Sequence, residues 1–270
     1  MIKLFGTDLD GTFLDNHSQI SAANREAVHA AQRSGRFFAI CSGWTPADIA
    51  ALYQDRLGTT GYGVCLNGAL VVGPEQTRYF DHPMPKEVAR WAFRMAKHYL
   101  IHLQLVSDQG EIEYQPDLAR GRFEERHPRF VSDIGELDEL LDHYRIYKFT
   151  LQSPPGNGLA LEWCARSMRK LPLHFTRSGP YYYEGNQQGI TKYTGIAHLA
   201  EHLGFTPAEC MCFGNEKNDI EMLKNVGYGV AMANAIPEVK AVARLTTASN
   251  EEDGVAKMIN QVVSGQFMEE

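Results

Sequence analysis

The chain has 270 residues, of which 44% are hydrophobic and 22% charged, and its formal net charge is −7. That length can fill one large α/β domain or two medium domains with a sizeable core, and the acidic balance argues against a general nucleic-acid surface. No apolar stretch approaches a membrane span, and the first residues lack the shape of a signal peptide. The five cysteines, Cys41, Cys65, Cys164, Cys210 and Cys212, are odd in number and scattered. That pattern fits buried thiols in a reducing, cytoplasmic compartment better than a disulfide framework. Cys210 and Cys212 flank Met211, so a strand there points both thiols to one face.

The first third alternates strand and helix. Ile2–Thr7 is an apolar run of strand length. Ser21 caps a helix that runs to Ser34, with Gly35 just past its end. Phe37–Cys41 is a second apolar run, Thr45–Pro46 opens a second helix with proline in its favoured first position, and Gly63–Leu66 is a short third strand. Strands separated by helices of this length predict parallel βαβ units with right-handed crossovers.

The middle has a different character. Val88, Trp91, Ala92, Met95 and Tyr99 recur at helical spacing from about Pro85. Ile101–Val106, Glu111–Tyr114, Tyr147–Gln152, Leu173–Thr176 and Tyr181–Glu184 then read as strands, an α+β pattern that predicts an inserted domain. The last third returns to alternation. Ile196, Leu199, Ala200 and Leu203 form one helix face closed by Gly204. Glu209–Phe213 reads as a strand, Glu216–Asn225 as a helix and Tyr228–Ala231 as a strand, with helices to the end. The expected fold is therefore α/β, with a doubly wound, mostly parallel core over 1–82 and 187–270. An α+β domain over 83–186 is inserted in it.

Four segments carry chemistry. Asp8–Leu9–Asp10–Gly11–Thr12 follows the first strand, at the end of a parallel strand where α/β folds bind ligands. Asp8 is a candidate nucleophile, because a carboxylate can attack phosphorus and form an acyl phosphate. Asp10 is a candidate acid and base. An ordinary β-turn would also place Asp and Gly here. Ser42, in Cys41–Ser42–Gly43–Trp44, offers a hydroxyl and neighbouring amides to a phosphoryl oxygen, although a plain helix-preceding turn has the same composition. Lys192 lies in the first turn of a helix, where a cation opposes the helix dipole; a solvated surface lysine is the alternative to a functional one. Gly214–Asn215–Glu216–Lys217–Asn218–Asp219 follows a strand and supplies hard oxygens suited to Mg2+ or its water shell, or simply an acidic helix start. A dinucleotide fold is disfavoured, since G-x-G-x-x-G is missing after the first strand.

In this order, D-x-D-G-T, S-G, an isolated Lys and G-N-x-x-N-D resemble the haloacid dehalogenase (HAD) superfamily of phosphatases. Asn67–Gly68–Ala69 and the run Gly229–Ala235 resemble its Cof-type branch with a class IIB cap, and the resemblance covers the whole chain. It implies a phosphomonoester hydrolase of small phosphorylated metabolites, with Asp8 as nucleophile, Asp10 as acid and base, and Ser42 and Lys192 holding the phosphoryl group. Thr12, Gly43, Trp44 and Asn218, with Lys148 from the cap, are the further expected substrate contacts. Mg2+ is the implied cofactor, surrounded by Asp8, the main-chain oxygen of Asp10 and Asn215, with Asp219 beside them. The expected partners are a small metabolite and no nucleic acid or membrane, on a monomer or homodimer. A phosphometabolite-binding protein with weak catalysis and a phosphomutase are the rival readings.

Two residues depart from the branch. Its fourth motif usually begins Gly-Asp, and here Asn215 brings one negative charge less. Its second motif usually continues with Arg, and here Trp44 replaces a cation with a flat apolar surface. His198–Leu199–Ala200–Glu201–His202 matches an inverted zinc-protease pattern, but Leu199 and Ala200 already fit the buried stripe of an ordinary helix. In the inserted domain, Tyr181, Tyr182 and Tyr183 alternate along a strand, the usual pattern of packing aromatics.

Overall fold

The apolar runs of the first and last thirds pair side by side. In the computed structural model, which describes residues 1–116, 129–153 and 156–268 apart from the side chains of 176–179, the chain folds as two compact units. One comprises Met1–Asp81 with Ile190–Glu270, the other His82–Gly189.

The first unit holds β1 (Leu4–Thr7), β2 (Phe37–Cys41), β3 (Tyr62–Cys65), β4 (Leu70–Val72) and β5 (Arg78–Asp81). From the last third come β12 (Cys210–Gly214), β13 (Tyr228–Ala231) and β14 (Leu245–Thr246). They form one sheet in the order β14-β13-β12-β1-β2-β3-β4-β5. The strands from β14 to β3 run parallel, and β4 and β5 add an antiparallel edge. This is the mixed, parallel-rich α/β architecture that the alternation predicts. All four residues of β1 and all five of β12 are buried, as expected of central strands covered on both faces.

The helices begin where local chemistry allows. In α1 (Ala22–Arg33) the Ser21 side chain accepts from the Asn24 amide. In α2 (Pro46–Ala51) Thr45 and Asp48 form a reciprocal capping box with Pro46 next in line, and Thr191 caps α6 (Lys192–His202) in the same way with Thr194. Each cap satisfies amides that the first helical turn leaves without a partner. α7 (Ile220–Asn225), α8 (Pro237–Val242) and α9 (Gly254–Val263) complete the unit. No helix among the described residues is long and apolar enough to cross a membrane.

The second unit contains α3 (Lys86–Tyr99), α4 (Ile134–Leu141) and α5 (Gly158–Ser167). Its strands are β6 (His102–Ser107), β7 (Gly110–Tyr114), β8 (Arg129–Phe130), β9 (Ile146–Gln152), β10 (Leu173–Gly179) and β11 (Tyr182–Gln187), in the sheet order β10-β11-β9-β6-β7-β8. Val88 and Phe93 from α3 pack with Leu103, Leu105, Ile112 and Phe149 from the strands. Alternation turns the intervening residues to the other face. There His102 Nε2 lies 3.1 Å from Glu113 Oε2, with both side chains buried. Burial alone would raise the Glu113 carboxyl, but the hydrogen bond and charge of His102 outweigh it and hold it below its usual range.

Candidate active site

Three adjacent parallel strands bring the site together at their C-terminal ends. Thr7 pairs with Ile40 of β2 and with Phe213 of β12, so Asp8, Ser42 and Asn215 emerge side by side just beyond them. The chain turns at once after β1, with Gly11 at φ +74° and the Leu14 amide donating back to the Leu9 carbonyl at 2.9 Å. Asp8 is left buried at the strand end while Asp10 is exposed at the rim.

Lys192 reaches this point from the start of α6. Its side chain has no exposed surface, and Nζ donates to Asp8 Oδ1 and Asp219 Oδ1, both at 2.6 Å. The unfavourable place of a cation at a helix N-terminus is thus offset by two buried carboxylates. Burial works to lower the ammonium's pKa, but the charges of Asp219 and Asp8 raise it above its ordinary value. Burial pushes the Asp8 carboxyl up to about 7, against the lowering pull of Lys192.

Lys192 is held in place from behind. Leu66, Asn67 and Gly68 all adopt positive φ, and Gly68, at +99°, presses on the start of α6: a Cβ there would lie 1.9 Å from the Thr191 carbonyl oxygen. Only glycine tolerates this combination of backbone angle and approach. Asn67 itself donates its backbone N–H to the Ser42 carbonyl at 3.0 Å. Its side-chain oxygen accepts from Asn218 Nδ2 at 3.3 Å, and the two side chains tie the S-G loop to the fourth motif. Ser42 is buried and its Oγ accepts from the Trp44 amide at 3.3 Å, while Trp44 itself is half-buried.

The residues expected around a metal divide into two groups. The Asn215 amide, Asp8 Oδ2 and the Asp10 carbonyl converge on one corner. They are hard donors that fit Mg2+ and its water shell. Among the described residues no three His, Cys, Asp or Glu side chains form a metal-holding group, because this corner is made of one carboxylate, one carbonyl and one amide. Asp219, expected beside the metal, lies fully buried between Lys192 and the backbone of the fourth motif. Its Oδ1 holds Lys192, and its Oδ2 accepts from the backbone amides of Asn215 and Glu216, both at 2.9 Å. Thr12, expected as a substrate contact, is fully buried with its hydroxyl 2.8 Å from the Asn215 amide.

Two residues of the site escaped individual notice in the sequence. Asn67 is carried by an Asn-Gly turn, a signal for positive φ. Asn234 donates from Nδ2 to the Gly11 carbonyl at 2.8 Å and steadies the Asp10–Gly11 turn. Lys148 lies on β9 of the second unit, 3.4 Å from Glu184. In the same unit Tyr183 donates to Glu162 at 2.8 Å and packs against the core, while the Tyr182 hydroxyl accepts from Gln152. The H-x-x-E-H histidines are stacking residues. The His198 ring lies 4.0 Å from that of Phe80 and the His202 ring 3.9 Å from that of Tyr79, against the edge strand β5.

The family model of the haloacid dehalogenase-like hydrolases matches residues 5–259. The chain belongs to that family, and within it to the phosphatases. The Bacillus subtilis protein YxeH is 30% identical over 280 residues, covering 97% of this chain and 99% of its own. The 5-amino-6-(5-phospho-D-ribitylamino)uracil phosphatase YcsE of the same organism is 30% identical, with coverage of 97% and 96%. A solved HAD subclass IIB sugar phosphatase superposes with a TM-score of 0.78 at 25% identity, covering 96% of this chain and 98% of its own. The expected Cof-type phosphatase of subclass IIB is thus borne out.

Proposed function

We propose that the protein is a Mg2+-dependent phosphomonoester hydrolase that transfers the phosphoryl group of a small metabolite to Asp8 and then to water. The observation that carries this reading is the Asp8–Lys192–Asp219 cluster: a buried carboxylate at the end of β1, held by a fully buried ammonium that a second carboxylate anchors. Asp8 attacks phosphorus, the bond to the ester oxygen breaks, and Asp10 gives that oxygen its proton. Asp10 then takes a proton from water, whose oxygen attacks phosphorus and releases phosphate from Asp8. Lys192 offsets negative charge at the nucleophile and on the phosphoryl oxygens. Ser42, just beyond β2, the Gly43 amide and Asn218 serve the remaining oxygens. Mg2+, held by Asp8, the Asp10 carbonyl and Asn215, would supply further neutralisation of the phosphoryl charge.

The five free, buried thiols support a reducing, cytoplasmic setting. The substrate named for YcsE and the sugar-phosphate class of the solved relative are the first esters to assay. The test is phosphate release from that panel in Mg2+, alongside Asp8→Asn. Wild-type turnover with none in the variant, both folded by circular dichroism, supports the reading. Near-normal release by Asp8→Asn refutes the covalent mechanism. Tight substrate binding with no release by the wild type would favour the phosphometabolite-binding alternative that Asn215 raises.

A further inference from the structure

The Asn215 side chain can be set in two ways that differ by a half-turn of its amide. The inner atom of that amide lies 2.8 Å from Thr12 Oγ1, 3.2 Å from Asp8 Oδ2 and 3.1 Å from the Asp10 carbonyl oxygen. With the oxygen inward, it accepts from the Thr12 hydroxyl and otherwise meets only acceptors. Three oxygens then crowd one corner with no proton between them, an arrangement that a cation stabilises. With the nitrogen inward, the amide donates to Thr12 Oγ1, Asp8 Oδ2 and the Asp10 carbonyl, and the corner is satisfied without a cation. Thr12 does not discriminate, since a hydroxyl donates to an oxygen and accepts from a nitrogen equally well. Gly11 leaves the outer atom its room: a Cβ there would come within 2.5 Å of it.

We propose that Asn215 is a cation-gated toggle, with its nitrogen inward in the metal-free protein and its oxygen inward as a ligand when Mg2+ binds. The proposal rests on the Mg2+ reading of this corner and adds to it a state that aspartate at the same position cannot adopt. An aspartate has no proton to offer Asp8 or the Asp10 carbonyl; with one at 215 the metal-free corner would hold two facing carboxylates. The amide therefore makes the metal-free site self-sufficient, and Mg2+ must displace two hydrogen bonds to enter. Asn215 is a positioning residue for Asp8 in one setting and a metal ligand in the other. This predicts weaker Mg2+ binding than an aspartate gives, together with a smaller gain in stability when Mg2+ is added.

The test uses the full chain with no substrate, so its outcome is separate from that of the phosphatase reading. Asparagine-selective 15N labelling shows the side-chain NH2 pair of Asn215, identified by its loss in Asn215→Asp, or in Asn215→Ser if the aspartate variant does not fold. In EDTA this pair should exchange slowly with water. It should shift and exchange faster as Mg2+ saturates the site, with saturation followed by calorimetry. Asn215→Asp should melt below the wild type in EDTA, gain more from Mg2+, and bind it about tenfold more tightly, the scale on which metal-site residues act. A pair that stays unmoved at saturation would overturn the toggle. So would an equal melting gain from Mg2+ in both proteins, or no calorimetric binding of Mg2+ to the wild type.

Discussion

Replacing Lys192 with methionine removes the cation and keeps the length of the side chain. Nζ sits 2.6 Å from both Asp8 Oδ1 and Asp219 Oδ1, so the two oxygens lie within about 5 Å of each other. At an effective dielectric of about 20, two unit charges at that distance repel by about 3 kcal/mol. Losing one partner of a buried ion pair generally costs about 3–5 kcal/mol, and we expect a loss of that size near neutral pH in EDTA. The pH dependence separates this cause from simple packing. A carboxylate whose folded pKa lies above its unfolded value binds its proton more tightly when folded. Its favourable term is complete below the unfolded pKa and is lost as pH rises through the folded one. Asp8 already has this sign in the wild type, with 3.8 raised to about 7 by burial, and removing Lys192 takes away the main opposing influence. The variant's deficit should therefore shrink on acidification, by up to about 1.4 kcal/mol per pH unit while it holds one proton more than the wild type. Urea unfolding of both proteins from about pH 9 down to about pH 7, above the pH at which the wild-type Asp8 takes up its own proton, reads this directly. A deficit below about 1 kcal/mol, or one that is flat with pH, would refute the electrostatic account of the cluster.

Two further perturbations probe the scaffold. Gly68→Ala places a methyl against the Thr191 carbonyl at φ +99°. It should cost about 3 kcal/mol or more, and the displaced start of α6 should lower turnover even well below the melting temperature. Undiminished kcat in the variant would show that Lys192 does not depend on this contact. The cysteines should be inert in the folded protein. Burial pushes the Cys164 and Cys210 thiols up to about 12 and raises Cys41, Cys65 and Cys212 as well. A chromogenic disulfide reagent at mildly alkaline pH should find no fast thiol before denaturation and five after it; one fast native thiol would contradict the burial described here.

Features that local chemistry decides were legible in the sequence. Phe37–Cys41 and Tyr228–Ala231 are strands with the expected bounds, and Ser21 caps α1 with its own side chain. Lys192 stood out because its position is unfavourable on its own, so something elsewhere had to offset it. What had to be found in the structure depends on partners distant in sequence. The β4–β5 edge was missed because its strands are three and four residues long, interrupted by a Gly-Pro pair that reads as a turn. With that edge unseen, the stacking of His198 and His202 on Phe80 and Tyr79 could not be read, although the buried stripe of the helix already spoke against the zinc pattern. Asp219 was legible as a hard oxygen donor of the fourth motif, but not its hydrogen-bond partners. Only the geometry shows its two oxygens engaged by Lys192 and two backbone amides. Thr12 and Asn215 lie 203 residues apart, and no local pattern links them.

The charge of the site explains why one amide has such reach. Asp8 and Asp219 both face Lys192, with Lys192 and Asp219 closed to solvent, and Asp10 adds a carboxylate at the exposed rim. A phosphomonoester arrives with a charge of about −1.5 to −2. Every negative charge already in place therefore acts twice, attracting a cation and repelling the substrate. With aspartate at 215 the corner would bind Mg2+ more strongly, but before Mg2+ arrives it would be strained and hostile to the ester. With asparagine the metal-free corner is neutral at that position and internally hydrogen-bonded. The repulsion that a cation must otherwise relieve is smaller from the start. On the proposed Mg2+ reading, asparagine at 215 would shift the work of neutralisation away from the metal and toward Lys192, which is buried against Asp8.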